Sequence, residues 1–239
     1  MKLWFKFSKS DKMKYISYLD LLRVLSRGVI RAGLTPALSQ GYNPQPKISF
    51  AHPLPLGVSV AKDYGEMELT ETELDFTQIT GKINEHLPSG FELLEIKSPI
   101  VEKPPKLMSL VDASAYEFDC SVLIGPEDLQ NKLNKLTQVK EISITKWHKK
   151  KKKYVEKDLK PLIYYLKSTE NGFKCIVQSG SRGNLRPDDL AAALFQDQNA
   201  LHKIRCIRTE VYCLQGNIQI IDSLYPLWNW DEIDNNTET

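Results

Sequence analysis

Residues 2–32, KLWFKFSKSDKMKYISYLDLLRVLSRGVIRA, change their apolar period once, and that change decides the fold. Over residues 2–8, Leu3, Phe5 and Phe7 alternate with Lys2, Trp4, Lys6 and Ser8, the two-residue period of a strand with one buried face. From about Tyr18 to Ala32, the residues Leu19, Leu22, Leu25 or Ser26, Val29 and Ala32 recur at helical spacing. Ser17 stands at the N-cap and Gly33 at the C′ position. Arg23, Arg27 and Arg31 fall on one exposed stripe of that helix, and Asp20, three residues before Arg23, is placed to pair with it.

Working outward, strands are expected at 47–51 and 64–69, a helix from Asp75 to about Leu87 stopped by Pro88-Ser89-Gly90, and a strand at 91–97. The order is βαββαβ, the ferredoxin-like split unit. PIVEKPPK at 99–106 carries three prolines and marks a boundary. Beyond it the order repeats: strand 115–123, a helix from Pro126 to about Leu136, strands near 141–147, 162–167 and 173–178, helix 187–195, strand 204–214. A lysine-rich excursion follows the first helix of this second half. The expectation is an α+β chain of two tandem ferredoxin-like units with antiparallel sheets, at 1–98 and 107–228. An acidic tail at 229–239 is expected to be disordered.

The chain has 239 residues, enough for two ordinary domains, with 41% hydrophobic and 26% charged residues. No apolar run approaches a membrane span, and the first residues lack a secretory pattern, so cytoplasmic residence and no membrane partner are expected. Cys120, Cys175, Cys206 and Cys213 read as reduced, buried thiols. The net charge of +2 hides segregation. Residues 1–50 hold nine Lys and Arg against two acids, whereas residues 61–95 hold nine acids against two lysines. Residues 146–160 hold eight lysines against two acids. Such asymmetry fits an anionic partner, nucleic acid first, and equally fits solvated faces on opposite sides of a sheet.

The loop SQGYNPQPK at 39–47 is stiffened by Gly41, Pro44 and Pro46. It displays Gln40, Tyr42, Asn43, Gln45 and Lys47, offering a stacking plane, paired donors and acceptors, and a phosphate contact. Arg23, Arg27 and Arg31 suit a phosphate track. Lys149, Lys150, Lys151, Lys152 and Lys153, flanked by Trp147, His148 and Tyr154, combine charge with aromatic planes. Arg182, within the GSRGN turn at 180–184, and Arg186 sit just before a helix start. A structural loop and solvated charge runs account for the same residues. Gly28–Thr35 has phosphate-loop spacing but lacks the lysine and lies in a helix. The histidines are scattered, with no metal-ligand spacing, and neither metal nor cofactor is expected. Asp20 and His52 are the catalytic candidates, with Tyr18 and Lys47 beside them if a site lies between the two units.

Three segments carry a family resemblance: YLDLLR at 18–23, SQGYNPQPKISF at 39–50, and LPLG at 54–57, with GNLRPD at 183–188 in support. The chain resembles the radical-SAM-linked domain family of bacterial proteins of uncharacterised function, found alone or fused behind radical-SAM proteins. Relatives carry His where this chain has Tyr18, and often where it has Gln45. A radical-SAM cluster needs three closely spaced cysteines, and the closest pair here is Cys206 and Cys213. The resemblance therefore implies a partner or substrate-presenting module of a radical-SAM protein. Tandem split units with a basic first helix also resemble RNA-processing proteins of CRISPR systems. The resulting expectation is a non-catalytic adaptor presenting tRNA or rRNA. The alternatives are an enzyme with a site between the units, and a scaffold docking through the acidic 61–95 face.

Overall fold

A computed structural model describes the chain outside residues 54, 149–151, 215–222 and 235–239. Strand β1 (Lys2–Lys9) leads through a 3-10 turn (Asp11–Tyr15) into helix α1 (Tyr18–Arg31). Then come β2 (Ile48–Phe50), β3 (Ser59–Glu68), α2 (Phe76–Asn84) and β4 (Phe91–Lys97). The second half runs α3 (Leu107–Leu110), β5 (Ala113–Asp119), α4 (Pro126–Gln138), β6 (Ser143–His148), β7 (Lys153–Asp158), β8 (Ile163–Ser168) and β9 (Gly172–Gln178). It closes with α5 (Pro187–Phe195), α6 (Ala200–Lys203), β10 (Arg205–Leu214), β11 (Leu224–Pro226) and α7 (Trp230–Asp234).

The result is a mixed α/β fold around one mostly antiparallel nine-stranded sheet, ordered β4-β1-β3-β10-β5-β9-β8, with β2 on β3 and β11 on β10. The halves do not form separate sheets. Because β2 is only three residues long and pairs with Ile48↔Met67 to Phe50↔Gly65, the opening stretch of β3 keeps a free edge. Strand β10 takes it in parallel, Ile207↔Ser59 and Arg208↔Val60, and this joins the halves. The lysine-rich excursion is a separate hairpin, β6 with β7.

Helix α1 begins where expected: Ser17 Oγ accepts the Asp20 N–H at 3.2 Å, and Gly33 takes φ +80° just beyond the last turn. Its buried face differs from the expected one. Leu21, Leu25, Gly28 and Val29 are buried, while Leu19 is 62% exposed. The reason lies at Gly28, where an added Cβ would come within 2.7 Å of Leu87 Cδ2. The closest approach of α1 to its neighbour runs along that side, which turns Leu19 outward.

Buried side chains gather in three clusters. Leu3, Phe5 and Phe7 meet α1 and α2 in the first half, and Tyr116, Phe118 and Cys175 meet α4 and α5 in the second. On the other face of the sheet, Trp4 and Tyr64 pack with Leu227 and Trp228. The tail expected to be disordered from Asn229 instead begins with α7. Lys97 Nζ donates to Trp228 O at 2.6 Å and to Asp231 Oδ1 at 2.8 Å, and the Ile100 N–H donates to Asp231 Oδ2 at 3.1 Å. The rest of that tail, residues 235–239, lies outside the described residues. No helix among the described residues is long and apolar enough to cross a membrane.

Candidate functional site

The loop at 39–47 is a closed structure. The Ser39 N–H donates to Gln45 O at 2.8 Å, the Gln45 N–H donates to Ser39 Oγ at 2.9 Å, and the Lys47 N–H donates to Ala37 O at 2.8 Å. These bonds push Gln40, Gly41, Tyr42, Asn43 and Pro44 out as an exposed tip, with the Tyr42 ring wholly in solvent. Between loop and helix runs a groove of about 390 Å³, lined by Leu19, Leu22, Arg23 and Arg27 on one wall and Gln45 and Pro46 on the other. A second hollow, of about 440 Å³, lies on the far side of Arg27 and is lined by Arg31 and His86. The outward Leu19 gives the groove an apolar floor beside two guanidinium groups, and Arg27 reaches both depressions.

Much of the positive charge seen in the sequence is engaged internally. Lys2 pairs with Glu66 at 3.2 Å, Lys6 with Glu95 at 2.7 Å and Lys47 with Glu68 at 2.8 Å, so the acidic 61–95 segment partly neutralises the basic first fifty residues. Arg23 pairs with Asp20 at 2.7 Å. The Ser17 hydroxyl, and then Arg23, hold the Asp20 carboxyl below its usual range. Arg27 and Arg31 are exposed, and no ion-pair partner occurs for either among the described residues. Exposed pairs are weak, so Arg23 and Lys47 remain available to a stronger anionic partner.

The hairpin stands apart from this groove and packs on the second half. Lys146 pairs with Asp189, Lys157 Nζ donates to Asn184 O at 2.7 Å, Arg186 pairs with Asp188 at 3.0 Å, and Arg182 pairs with Asp112. Trp147 and Tyr154 face each other across the rung, edge to face at 5.2 Å, and both are exposed. Lys152 and Lys153 are exposed beside them, and Lys149, Lys150 and Lys151 lie outside the described residues. The groove thus unites α1 with the loop and receives nothing from the hairpin.

The catalytic candidates do not share one cluster. Asp20 is on the surface, Lys47 holds Glu68, and the Tyr18 ring packs edge-on to Phe50 at 5.6 Å. His52 is buried where β3 meets β10, and burial together with the nearby Arg208 guanidinium lowers its pKa to about 3. Sequence reading missed the group around it. Arg208, Asp63 and Lys9 are all fully buried, Arg208 pairs with Asp63, and Arg208 Nη2 donates to Pro53 O at 2.9 Å. Lys9 and Asp63 each fall one residue outside the strands expected from the sequence, and only Arg208 lies within one, so the pattern gave no signal for the group.

Fold and groove together define a mixed α/β protein whose mostly antiparallel sheet carries, on its first helix, a basic groove with an apolar floor and a rigid polar rim. The chain belongs to the family described as "uncharacterized protein conserved in bacteria (DUF2344)", whose family model matches residues 2–187. The match takes in the groove and the hairpin, while β10 and the C-terminal helix lie beyond it. No curated protein matches the chain.

Proposed function

We propose that the groove between α1 and the 39–47 loop binds RNA, and that the protein is a cytoplasmic, non-catalytic adaptor presenting a tRNA or rRNA to a partner. The observation that carries this reading is the groove that sets Arg23 and Arg27 of α1 against Gln45 and Pro46 of a pre-shaped loop. The exposed tip of that loop displays Tyr42 and Asn43, and Arg31 lies beyond Arg27 in the second hollow. Guanidinium groups meet backbone phosphates, and a solvent-facing tyrosine offers a plane to an unstacked base. A loop already closed by its own backbone bonds loses little entropy on binding. We read the halves as two ferredoxin-like units merged edge to edge, since β4-β1-β3-β2 and β10-β5-β9-β8 are the same strand order. The resemblance to radical-SAM-linked proteins supports a radical-SAM protein as the partner served.

Bulk tRNA binding to the full chain, followed by fluorescence anisotropy across salt concentrations, tests the reading. Replacing Arg27 and Arg31 by Ala is expected to weaken binding at least tenfold at low salt. The slope of log affinity against log salt should flatten by about two, one per lost phosphate contact. Both side chains are exposed, so the melting temperature should hold. No binding at low salt, or an unchanged slope, contradicts the proposal.

A further inference from the structure

The seam between the halves holds two buried cations against one buried carboxylate. Lys9 on β1 pairs with Val60 on β3, and Val60 pairs with Arg208 on β10, so all three side chains stand on one face of the sheet. The two outer strands are two strand spacings apart, about 9–10 Å, so two long side chains can lean toward a common point above Val60. Arg208 uses Nη1 on Asp63 and Nη2 on Pro53 O, with the Tyr116 ring 5.6 Å away. Its Nε has no partner, and neither has Lys9 Nζ. His52 beside them stays neutral, the buried Tyr116 hydroxyl is a hydrogen-bonding neighbour of the Arg208 guanidinium, and the Tyr64 hydroxyl donates to Glu210. Buried donors without acceptors are costly, and two cationic ones on a single face form a cradle for negative charge.

We propose that this seam is a binding site for a small oxyanion, a carboxylate or phosphate group, held between Lys9 Nζ and the Arg208 Nε–H. Such a ligand supplies the missing acceptors and the missing negative charge, and it ties β1 to β10 across the joint. The site is independent of the RNA groove, and Arg27→Ala with Arg31→Ala should leave its response intact.

The test uses the full chain with isotope-labelled lysines, titrated by NMR at constant ionic strength with inorganic phosphate in one arm and acetate in the other. Without anion the Lys9 amine should titrate near pH 8, because burial lowers it from 10.5. In the arm whose anion fits, the midpoint should rise by at least one unit, the direction an opposite charge imposes. The same anion should raise the melting temperature saturably by several degrees, and Lys9→Met should abolish that gain. Without anion, Lys9→Met should melt no lower than the natural chain. A midpoint that neither anion moves overturns the site, as does a thermal gain that persists in Lys9→Met. If Lys9→Met fails to fold, the midpoint in the natural chain decides alone. A response to phosphate only, or to acetate only, supports the site and fixes its ligand class.

Discussion

Lys9 and His52 couple stability to pH at opposite ends of the scale, both through burial of an ionisable group. The Lys9 amine drops from 10.5 to about 8 on folding, so between those values the unfolded chain binds more protons and stability rises with pH. The full span is worth about 3 kcal/mol. His52 drops from 6.5 to about 3, so its contribution is present above pH 6.5 and is lost as pH falls toward 3. Urea midpoints at pH 4, 7 and 10 should show both limbs. His52→Gln should flatten the acid limb and Lys9→Met the alkaline one, whereas a profile unchanged by either substitution would contradict these assignments. Neither role was legible in the sequence. Alternation gave the buried positions Leu3, Phe5 and Phe7 but put Trp4 on the polar face, where it is in fact buried. The Arg208 guanidinium, whose charge acts on both Lys9 and His52, sits on β10, in the other half of the chain. Arg27 and Arg31 were legible, because a helical stripe needs no distant partner to define it.

Elements with local signals appear in the structure where the sequence put them. Ser17 and Asp75 accept the capping N–H of α1 and α2, Pro126 opens α4, and β4 falls on 91–97. The differences arise where tertiary packing overrode the pattern. Strand β3 starts at Ser59, five residues before the expected strand, because β1 (Phe7↔Asp63, Lys9↔Val60) and β10 both supply partners to a stretch with weak alternation. Helix α1 is rotated by the approach of Gly28 to Leu87, and the same rotation exposes Leu19 to form the groove floor. On β3, Gly65 lies under a ring: an added Cβ would fall 2.2 Å from Phe5 Cζ and 2.6 Å from Ser49 O. Gly65→Ala should therefore destabilise by about 1–3 kcal/mol through overpacking of the β1–β3–β2 layer. Chemical denaturation checks this, and a neutral result would mean that the Phe5 ring has another place to go.

At the scale of the molecule, the order of strands and helices in each half was readable, but their union into one sheet was not. That joint rests on two parallel pairings, Ile207↔Ser59 and Arg208↔Val60, which leave no periodic trace. Charge segregation was equally visible, yet its meaning changed: Lys2, Lys6 and Lys47 reach acidic residues of their own half, and Arg182 and Arg186 do the same in the second. Among the described residues Arg27 and Arg31 of α1 have no ion-pair partner, and Arg27 lines the groove beside the 39–47 loop. The hairpin, with Trp147 and Tyr154 displayed, is a second and separate surface. The most direct measurement is ultraviolet crosslinking of tRNA to the full chain, followed by mass-spectrometric mapping of the attached peptides. The groove account predicts crosslinks centred on Tyr42 and on the α1 peptide that carries Arg27. Crosslinks confined to the 147–154 hairpin, or none above background, would contradict it.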